Sequence, residues 1–309
     1  MAVELTFLFL GLFAVLILAS TVTGRLAARP GADPELVGNL SDRIRAWWAM
    51  IGILAVAFLL GDGALVLLFA FCSFACLREA LTLAARHRAD HMALVLSFLV
   101  VLPVQYWAIY TDWYGFYVVF IPVFVFLGAP IVSVLRGHTE NFLGRVSQVQ
   151  WALMICVFCI SHVPALLFLD GPGFEGRQAL MVAFLLLIVQ ASDVMQYVWG
   201  KLFGRRKLAP KVSPSKTWEG LLGGVLSAAC LGAALHGLTP FGPGLAFVMA
   251  LVAAAMGVFG GLVLSAAKRD RGVKDWGHGI VGHGGFLDRL DGVAFAAPVF
   301  FHLTRYFWT

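Results

Sequence analysis

Long apolar runs alternate with short polar segments along the whole chain of 309 residues. A helix needs about 20 apolar residues to cross a bilayer core about 30 Å thick. On that scale the pattern predicts ten transmembrane helices, near residues 4–22, 46–61, 63–82, 92–110, 113–135, 150–169, 177–199, 219–238, 243–266 and 291–308. The short turns at 61–63 and 111–112 leave nine helices as the alternative. Only the stretch 24–45, rich in Pro and Gly, has the composition of a linker. We therefore predict an all-α, polytopic membrane protein that folds as a single domain over residues 1–309.

The composition agrees with this pattern. Hydrophobic residues make up 61% of the chain and charged residues 13%, and the mean hydropathy is +0.89. Soluble domains contain about 45–50% apolar residues, so the composition excludes a soluble globular protein. The first four residues, Met-Ala-Val-Glu, lack the positive charge of a secretory signal, so we expect the first helix to be retained. We expect the bilayer as a partner and no nucleic acid.

The basic residues predict the orientation. If the chain starts outside, 20 of its 22 Lys and Arg residues fall in loops on the cytoplasmic side, and only Arg177 and Arg305 lie opposite. This alternation favours an even number of spans. It also places the two long polar segments, 200–218 and 267–290, together on the cytoplasmic side. We expect a bacterial plasma membrane protein whose polar active site faces the cytoplasm.

A basic segment at 200–220 follows the seventh predicted helix and holds six bases and one acid. Its two prolines stiffen the backbone, and the hydroxyl of Ser213 stands close to Lys211 and Lys216. Fixed cations and hydroxyl donors on a stiff backbone suit phosphate binding, although a positive loop of ordinary topology would have similar charges. Thr217 or Ser215 is placed to cap the following helix.

The segment 265–291 is the most polar in the chain, with four acids, five bases, two histidines and six glycines in 27 residues. It must face water, because unpaired charges and bare peptide groups are costly in lipid. Asp288 and Asp291 are spaced i, i+3, so they share one face of a helix that begins near Phe286. Two carboxylates on one face favour a cation between them, and oxygen ligands suit Mg²⁺ or Mn²⁺. Simple pairing of these acids with Arg289 and Lys274 is the alternative.

Two further features belong to the same picture. The adjacent Gly284 and Gly285 after His283 let backbone N–H groups approach a phosphate at a helix start, where the dipole favours anions. Asp193 lies in the apolar run 185–199 and is the one clear acid that we assign to the interior of a span. An ionisable residue at membrane depth is a functional candidate.

The spacing of residues in 265–291 resembles the signature of the phosphatidate cytidylyltransferase family, the CDP-diacylglycerol synthases. The residues that carry the resemblance are Ser265, Lys268, Arg269, Lys274, Asp275, Gly282, His283, Gly284, Gly285, Phe286, Asp288, Arg289 and Asp291. The upstream segment 210–220 is similar to a second motif of the family. The resemblance is firm from about Asp193 onwards, so we expect the catalytic portion at 190–309. In the N-terminal helices, at 1–150, the resemblance is in hydropathy only.

The resemblance implies that CTP and phosphatidic acid react to CDP-diacylglycerol and pyrophosphate with the help of a divalent metal, Mg²⁺ or Mn²⁺. It assigns Asp275, Asp288 and Asp291 as metal ligands, with Asp193 as a further candidate ligand. The catalytic group comprises these three acids with Lys274 and His283. The expected phosphate contacts are Lys211, Ser213, Lys216, Lys268, Arg269, Arg289, Gly284 and Gly285.

One departure from the family pattern leaves the lipid open. Members commonly carry Asp-(Ser/Thr)-Gly-Ala-Tyr where this chain keeps Asp193 and Tyr197 but has Val194, Met195 and Gln196 between them. A side branch of the family would explain this change. The alternatives are a cytidylyltransferase for an isoprenoid phosphate, a CTP-dependent polyprenol kinase, and, from a different class, a transporter with nucleotide-binding loops. The sequence leaves a homodimer open.

Overall fold

The computed structural model describes residues 2–29, 33–84, 91–135, 137, 139–280 and 284–309. The described residues form ten long helices. They are α1 (Ala2–Ala27), α2 (Pro34–Leu60), α3 (Asp62–Ala84), α4 (His91–Tyr110), α5 (Tyr114–Val134), α6 (Phe142–Phe168), α7 (Gln178–Phe203), α8 (Trp218–Ala234), α9 (Pro243–Asp270) and α10 (Leu287–Trp308). The predicted helical, polytopic architecture is therefore confirmed.

Eight of these helices are long and apolar enough to cross a bilayer. The other two are α8, which has 17 residues, and α10, which has 22 residues and carries Asp288, Arg289 and Asp291 near its start. The short turns that had made nine helices the alternative count do separate helices in the described residues. Gly61, with φ of 92°, separates α2 from α3, and Asp112, with φ of 50°, lies between α4 and α5.

The linker predicted at 24–45 is wrong over most of its length. Helix α1 continues to Ala27 and α2 already begins at Pro34, so only residues 28–33 lie between them. Proline suits the first position of a helix because its missing N–H would have no helical partner there. The Asp33 side chain accepts a hydrogen bond from the Glu35 N–H at 3.0 Å and caps this end. Polar residues that suggested a loop instead extend the helix beyond its apolar part.

A small antiparallel hairpin, which the all-α prediction missed, lies between α7 and α8. Strand β1 (Lys207–Ala209) pairs with β2 (Ser213–Thr217), with Lys207 opposite Thr217 and Ala209 opposite Ser213. Strands of three and five residues are too short to show an alternating pattern. Pro214 is tolerated because a two-stranded sheet has only edge strands, where a missing N–H need not break a ladder.

The hairpin leads directly into α8. The Thr217 side chain accepts a hydrogen bond from the Gly220 N–H at 3.1 Å, which confirms the cap predicted at Thr217. The Glu219 carboxylate accepts hydrogen bonds from the backbone N–H groups of Arg205 at 3.0 Å and Arg206 at 3.2 Å. These bonds fasten the basic segment to the start of α8.

Candidate functional site

The hairpin packs against the end of α9. The Arg269 guanidinium donates from Nε to the Val212 carbonyl at 3.4 Å and from Nη1 to the Val273 carbonyl at 3.1 Å. The loop between α9, which ends at Asp270, and α10, which begins at Leu287, starts and ends at the same end of the bundle, because Lys268 Nζ donates to Asp288 Oδ1 at 2.6 Å. The two polar segments singled out in the sequence therefore meet.

A group of charged side chains lies where the hairpin meets the end of α9 and the start of α10. Lys216 comes from β2, Lys268 from α9, Asp193 from α7, and Arg289 and Asp291 from α10. The Asp193 carboxylate lies within electrostatic range of Lys216 and Arg289, and the Asp291 carboxylate lies within range of Asp193, Lys216 and Lys268. We call these five residues the charged centre. It combines two acids and three bases contributed by three helices and one strand.

Gly261 of α9 makes room for the charged centre. A Cβ at this position would lie 3.3 Å from Lys216 Nζ and 3.4 Å from Asp291 Oδ2. Both charged groups therefore lie directly over the bare backbone of α9. Within the part of the chain that the structure describes, Arg289 Nε is buried without a hydrogen-bond partner. A buried guanidinium N–H without a protein partner is available to a ligand or to water.

Asp288 is held by three donors. Its Oδ1 receives a hydrogen bond from Lys268 Nζ at 2.6 Å, and its Oδ2 receives backbone N–H bonds from Trp276 at 2.8 Å and Gly285 at 2.9 Å. The Asp288 side chain is 4% exposed and that of Lys268 is 11% exposed. A buried carboxylate is stable only when such donors satisfy it. Asp288 therefore joins α9, the loop and α10.

Asp275, another acid of the predicted metal set, lies near Asp288. A Cβ at Gly284 would lie 3.0 Å from Asp288 Oδ2 and 3.4 Å from Asp275 Cβ. Gly284 has φ of +80°, a backbone conformation that favours glycine. Asp275 and the neighbouring Lys274 are exposed. Across the described residues, no three His, Cys, Asp or Glu side chains come together as a metal site. The three-acid metal set stays a prediction.

The predicted phosphate contacts fall into two groups. Lys216, Lys268 and Arg289 belong to the charged centre, whereas Lys211 is exposed at the hairpin turn. Ser213 is partly buried at the start of β2. The Gly285 N–H, expected to face a phosphate, donates to Asp288. His283 lies outside the described residues.

The residues that depart from the family pattern after Asp193 do not all face the same side of α7. Gln196 is 6% exposed and packs on α8, where a Cβ at Gly224 would lie 2.8 Å from the Gln196 backbone nitrogen. Val194 and Tyr197 are 56% and 67% exposed on the outside of the helix. Glycine on α8 thus makes room for the backbone of α7 at Gln196, and the larger side chain at this position is buried beside α8.

Glu79 belongs to the site, and sequence reasoning missed it. It lies on α3, is 6% exposed, and accepts backbone hydrogen bonds from Phe286 and Leu287, each at 3.0 Å. The signal was available, because Glu79 is an acid within the predicted span 63–82. The rule that singled out Asp193 applies to it equally.

A bundle built for a bilayer, with a charged centre at one end, has the features of a membrane enzyme that handles anionic substrates. The sequence model of the cytidylyltransferase family matches residues 41–307. The chain belongs to this family and is a membrane-embedded nucleotidyltransferase. The matched range begins at residue 41 and so includes helices upstream of residue 150.

Three proteins with similar sequences illustrate this family relationship. The uncharacterized protein YnbB of Escherichia coli (strain K12) is 38% identical over 300 residues, which cover 96% of each chain. A phosphatidate cytidylyltransferase of Mycobacterium leprae is 46% identical over 177 residues, 56% of this chain and 51% of that protein. Another, of Pseudomonas aeruginosa, is 29% identical over 257 residues, 67% of this chain and 94% of that protein.

Proposed function

We propose that this enzyme transfers CMP from CTP to phosphatidic acid and releases pyrophosphate. An oxygen of the lipid phosphate attacks the α-phosphorus of CTP, the bond between the α-phosphorus and the β-phosphate oxygen breaks, and CDP-diacylglycerol forms. The observation that carries the proposal is the charged centre at one end of the bundle, which is suited to a nucleotide from water and a lipid acid from the bilayer. The names of the Mycobacterium leprae and Pseudomonas aeruginosa relatives support this lipid.

This reaction mainly requires neutralisation of the negative charges on the two substrates. The lipid phosphate is already an anion and needs no strong base, but it must approach a triphosphate that is also anionic. At 4 Å and an effective dielectric constant of 20, two unit charges interact with about 4 kcal/mol. Lys216 and Arg289 supply positive charge that offsets this repulsion, and Lys268, which pairs with Asp288, lies beside them. Positioning and electrostatic stabilisation of this kind dominate enzymatic transfer between phosphates.

The donor chemistry of the charged centre also fits a divalent cation. Mg²⁺ is commonly held by one or two carboxylates together with substrate phosphates. Asp193 and Asp291 are two carboxylates close enough to act on each other, whereas Asp288 already accepts from Lys268 and two backbone amides. We propose Asp193 and Asp291 as the residues that would hold Mg²⁺. When bound, the metal would supply positive charge to the triphosphate.

We further propose that the charged centre faces the cytoplasm of a plasma membrane. The supporting observations are the basic residues of 200–218 and 267–290, which stand at the same end of the bundle. CTP reaches the site from that side.

The test is product analysis with purified protein in detergent, Mg²⁺, labelled CTP and phosphatidic acid. The expected products are a labelled lipid and pyrophosphate. A labelled lipid only with an isoprenoid phosphate would replace phosphatidic acid as substrate, and release of CDP with a polyprenol would indicate a kinase. The full-length similarity to the uncharacterized YnbB and the buried Gln196 favour including both alternatives as arms of this assay.

A variant pair tests the charged centre. Asp291→Asn removes one of the two carboxylates, so we expect turnover to fall to background while the protein elutes and melts as the wild type does. Asp270→Asn is the matched control, because the Asp270 side chain is 81% exposed at the end of α9. Full activity of Asp291→Asn would contradict the metal assignment.

A further inference from the structure

Glu79 reaches the catalytic half of the protein from a distant part of the sequence. Its Oε1 accepts a hydrogen bond from the Phe286 N–H and its Oε2 from the Leu287 N–H, each at 3.0 Å. These groups stand at the start of α10, where a helix has unpaired N–H groups and a positive dipole end. A carboxylate from α3 thus acts as the cap of α10. No ion pair of Glu79 with Lys or Arg occurs among the residues that the structure describes.

The glycines of the loop are arranged around this carboxylate. A Cβ at Gly277 would lie 2.7 Å from Glu79 Oε1, and a Cβ at Gly285 would lie 2.7 Å from Glu79 Cδ. At Gly279 the distance to Oε1 would be 3.4 Å. Real side chains do not make contacts under 3.0 Å, so a methyl group at residue 277 or 285 would displace the Glu79 carboxylate from its position. The sequence had suggested phosphate approach as the reason for Gly285.

The capped turn carries the acids of the site. Asp288 follows Leu287 directly, and Asp291 lies one turn further along α10. We propose that Glu79 is a positioning residue, whose carboxylate fixes Gly277, Gly285 and the first turn of α10 and thereby sets where Asp288 and Asp291 stand. Residues of this kind, which hold the groups that contact a metal or substrate, typically change activity by about 10- to 100-fold when replaced.

The first experiment is Glu79→Gln, which keeps the size of the side chain. One oxygen becomes an NH₂ group facing an N–H donor, so one hydrogen bond is lost and the other loses its charge assistance. We expect kcat for pyrophosphate release to fall about 10- to 100-fold, with elution and melting close to those of wild type. Ser73→Ala is the matched control: Ser73 is a buried residue of α3 bonded to Tyr106 at 2.6 Å, away from the loop. It should lower the melting temperature without lowering kcat.

A double-mutant cycle separates the two explanations of Gly285. If Gly285 makes room for Glu79, Gly285→Ala should lower kcat about tenfold or more in the wild type but by no more than about twofold in a Glu79→Ala background. If Gly285 is needed for a phosphate to approach, the loss should be the same in both backgrounds. Equal losses would overturn the assignment of Glu79.

Hydrogen exchange tests the inference without any substrate. The kinetic results rest on the proposed function, but the exchange of the Phe286 and Leu287 amides does not. Glu79→Gln should speed exchange in a peptide over 284–290 and leave α8 unchanged. Unchanged exchange in this peptide would contradict the proposal even in an active enzyme. Faster exchange in the variant together with an inactive wild type would refute only the proposed function.

Gly277→Ala is the second variant, because its methyl group would displace the Glu79 carboxylate. Failure of both variants to fold would overturn the positioning role.

Discussion

The ion pair between Lys268 and Asp288 makes the sharpest prediction about stability. Asp288→Asn keeps the shape of the side chain but removes its charge. The carboxylate accepts from Lys268 Nζ at 2.6 Å and from the N–H groups of Trp276 and Gly285 at 2.8 and 2.9 Å. All three partners are donors, so the new NH₂ group must face a donor whichever way the amide is turned.

The expected loss in the free energy of unfolding follows from the burial of both side chains. The two side chains are only 4% and 11% exposed, so solvent screens their interaction little. Removing one member of a buried pair costs about 3–5 kcal/mol, since the other charge stays buried and uncompensated. With roughly 2–4 °C per kcal/mol, the melting temperature should fall by roughly 6–20 °C.

The assay is thermal unfolding of the purified protein in one detergent, with Asp270→Asn as the exposed control. The double variant Lys268→Met with Asp288→Leu should recover part of the loss, because it removes both charges together. It cannot recover all of it, since the Trp276 and Gly285 N–H groups stay unsatisfied. A melting temperature of Asp288→Asn equal to that of the wild type, with turnover abolished, would refute this reasoning and favour a metal ligand at Asp288.

Two more substitutions test the hairpin and the space beneath it. Thr217→Ala removes the cap of α8 and should cost about 1 kcal/mol in the free energy of unfolding; Ser215→Ala, on an exposed neighbour, should cost almost nothing, and equal effects on the melting temperature would reject the cap. Gly261→Ala places a methyl group 3.3 Å from Lys216 Nζ, so we expect lower turnover in a folded protein, whereas Gly244→Ala on the same helix, with nothing within 4 Å, should leave turnover unchanged.

Helix positions could be predicted because each apolar run must match the bilayer thickness, whatever its neighbours are. The same rule gave the breaks before α3 and α5. The boundaries at α2 and the hairpin could not be obtained in this way. Pro34 and the polar residues after it suit a helix start as well as a loop. A hairpin with strands of only three and five residues is stable only when it packs against other elements, which a sequence pattern does not show.

The residue types of the site could also be predicted in part from the sequence. Acids, bases and glycines between Ser265 and Asp291 indicated an anion and metal site, and the charge alternation grouped this segment with Lys216. The sequence could not divide the acids by role. Asp288 is bound by three donors, whereas Asp291 lies with Asp193 in the charged centre, and both are aspartates at the start of one helix.

The sequence by itself thus determined a polytopic helical protein and the residue types of its chemistry, since hydropathy and charge act along the chain. Only the tertiary structure decided which of these residues meet. Glu79 lies more than 200 positions before Phe286, and no local pattern connects them. Their contact exists because a buried carboxylate needs donors and the first turn of α10 has N–H groups without partners, a match that arises only when the helices pack.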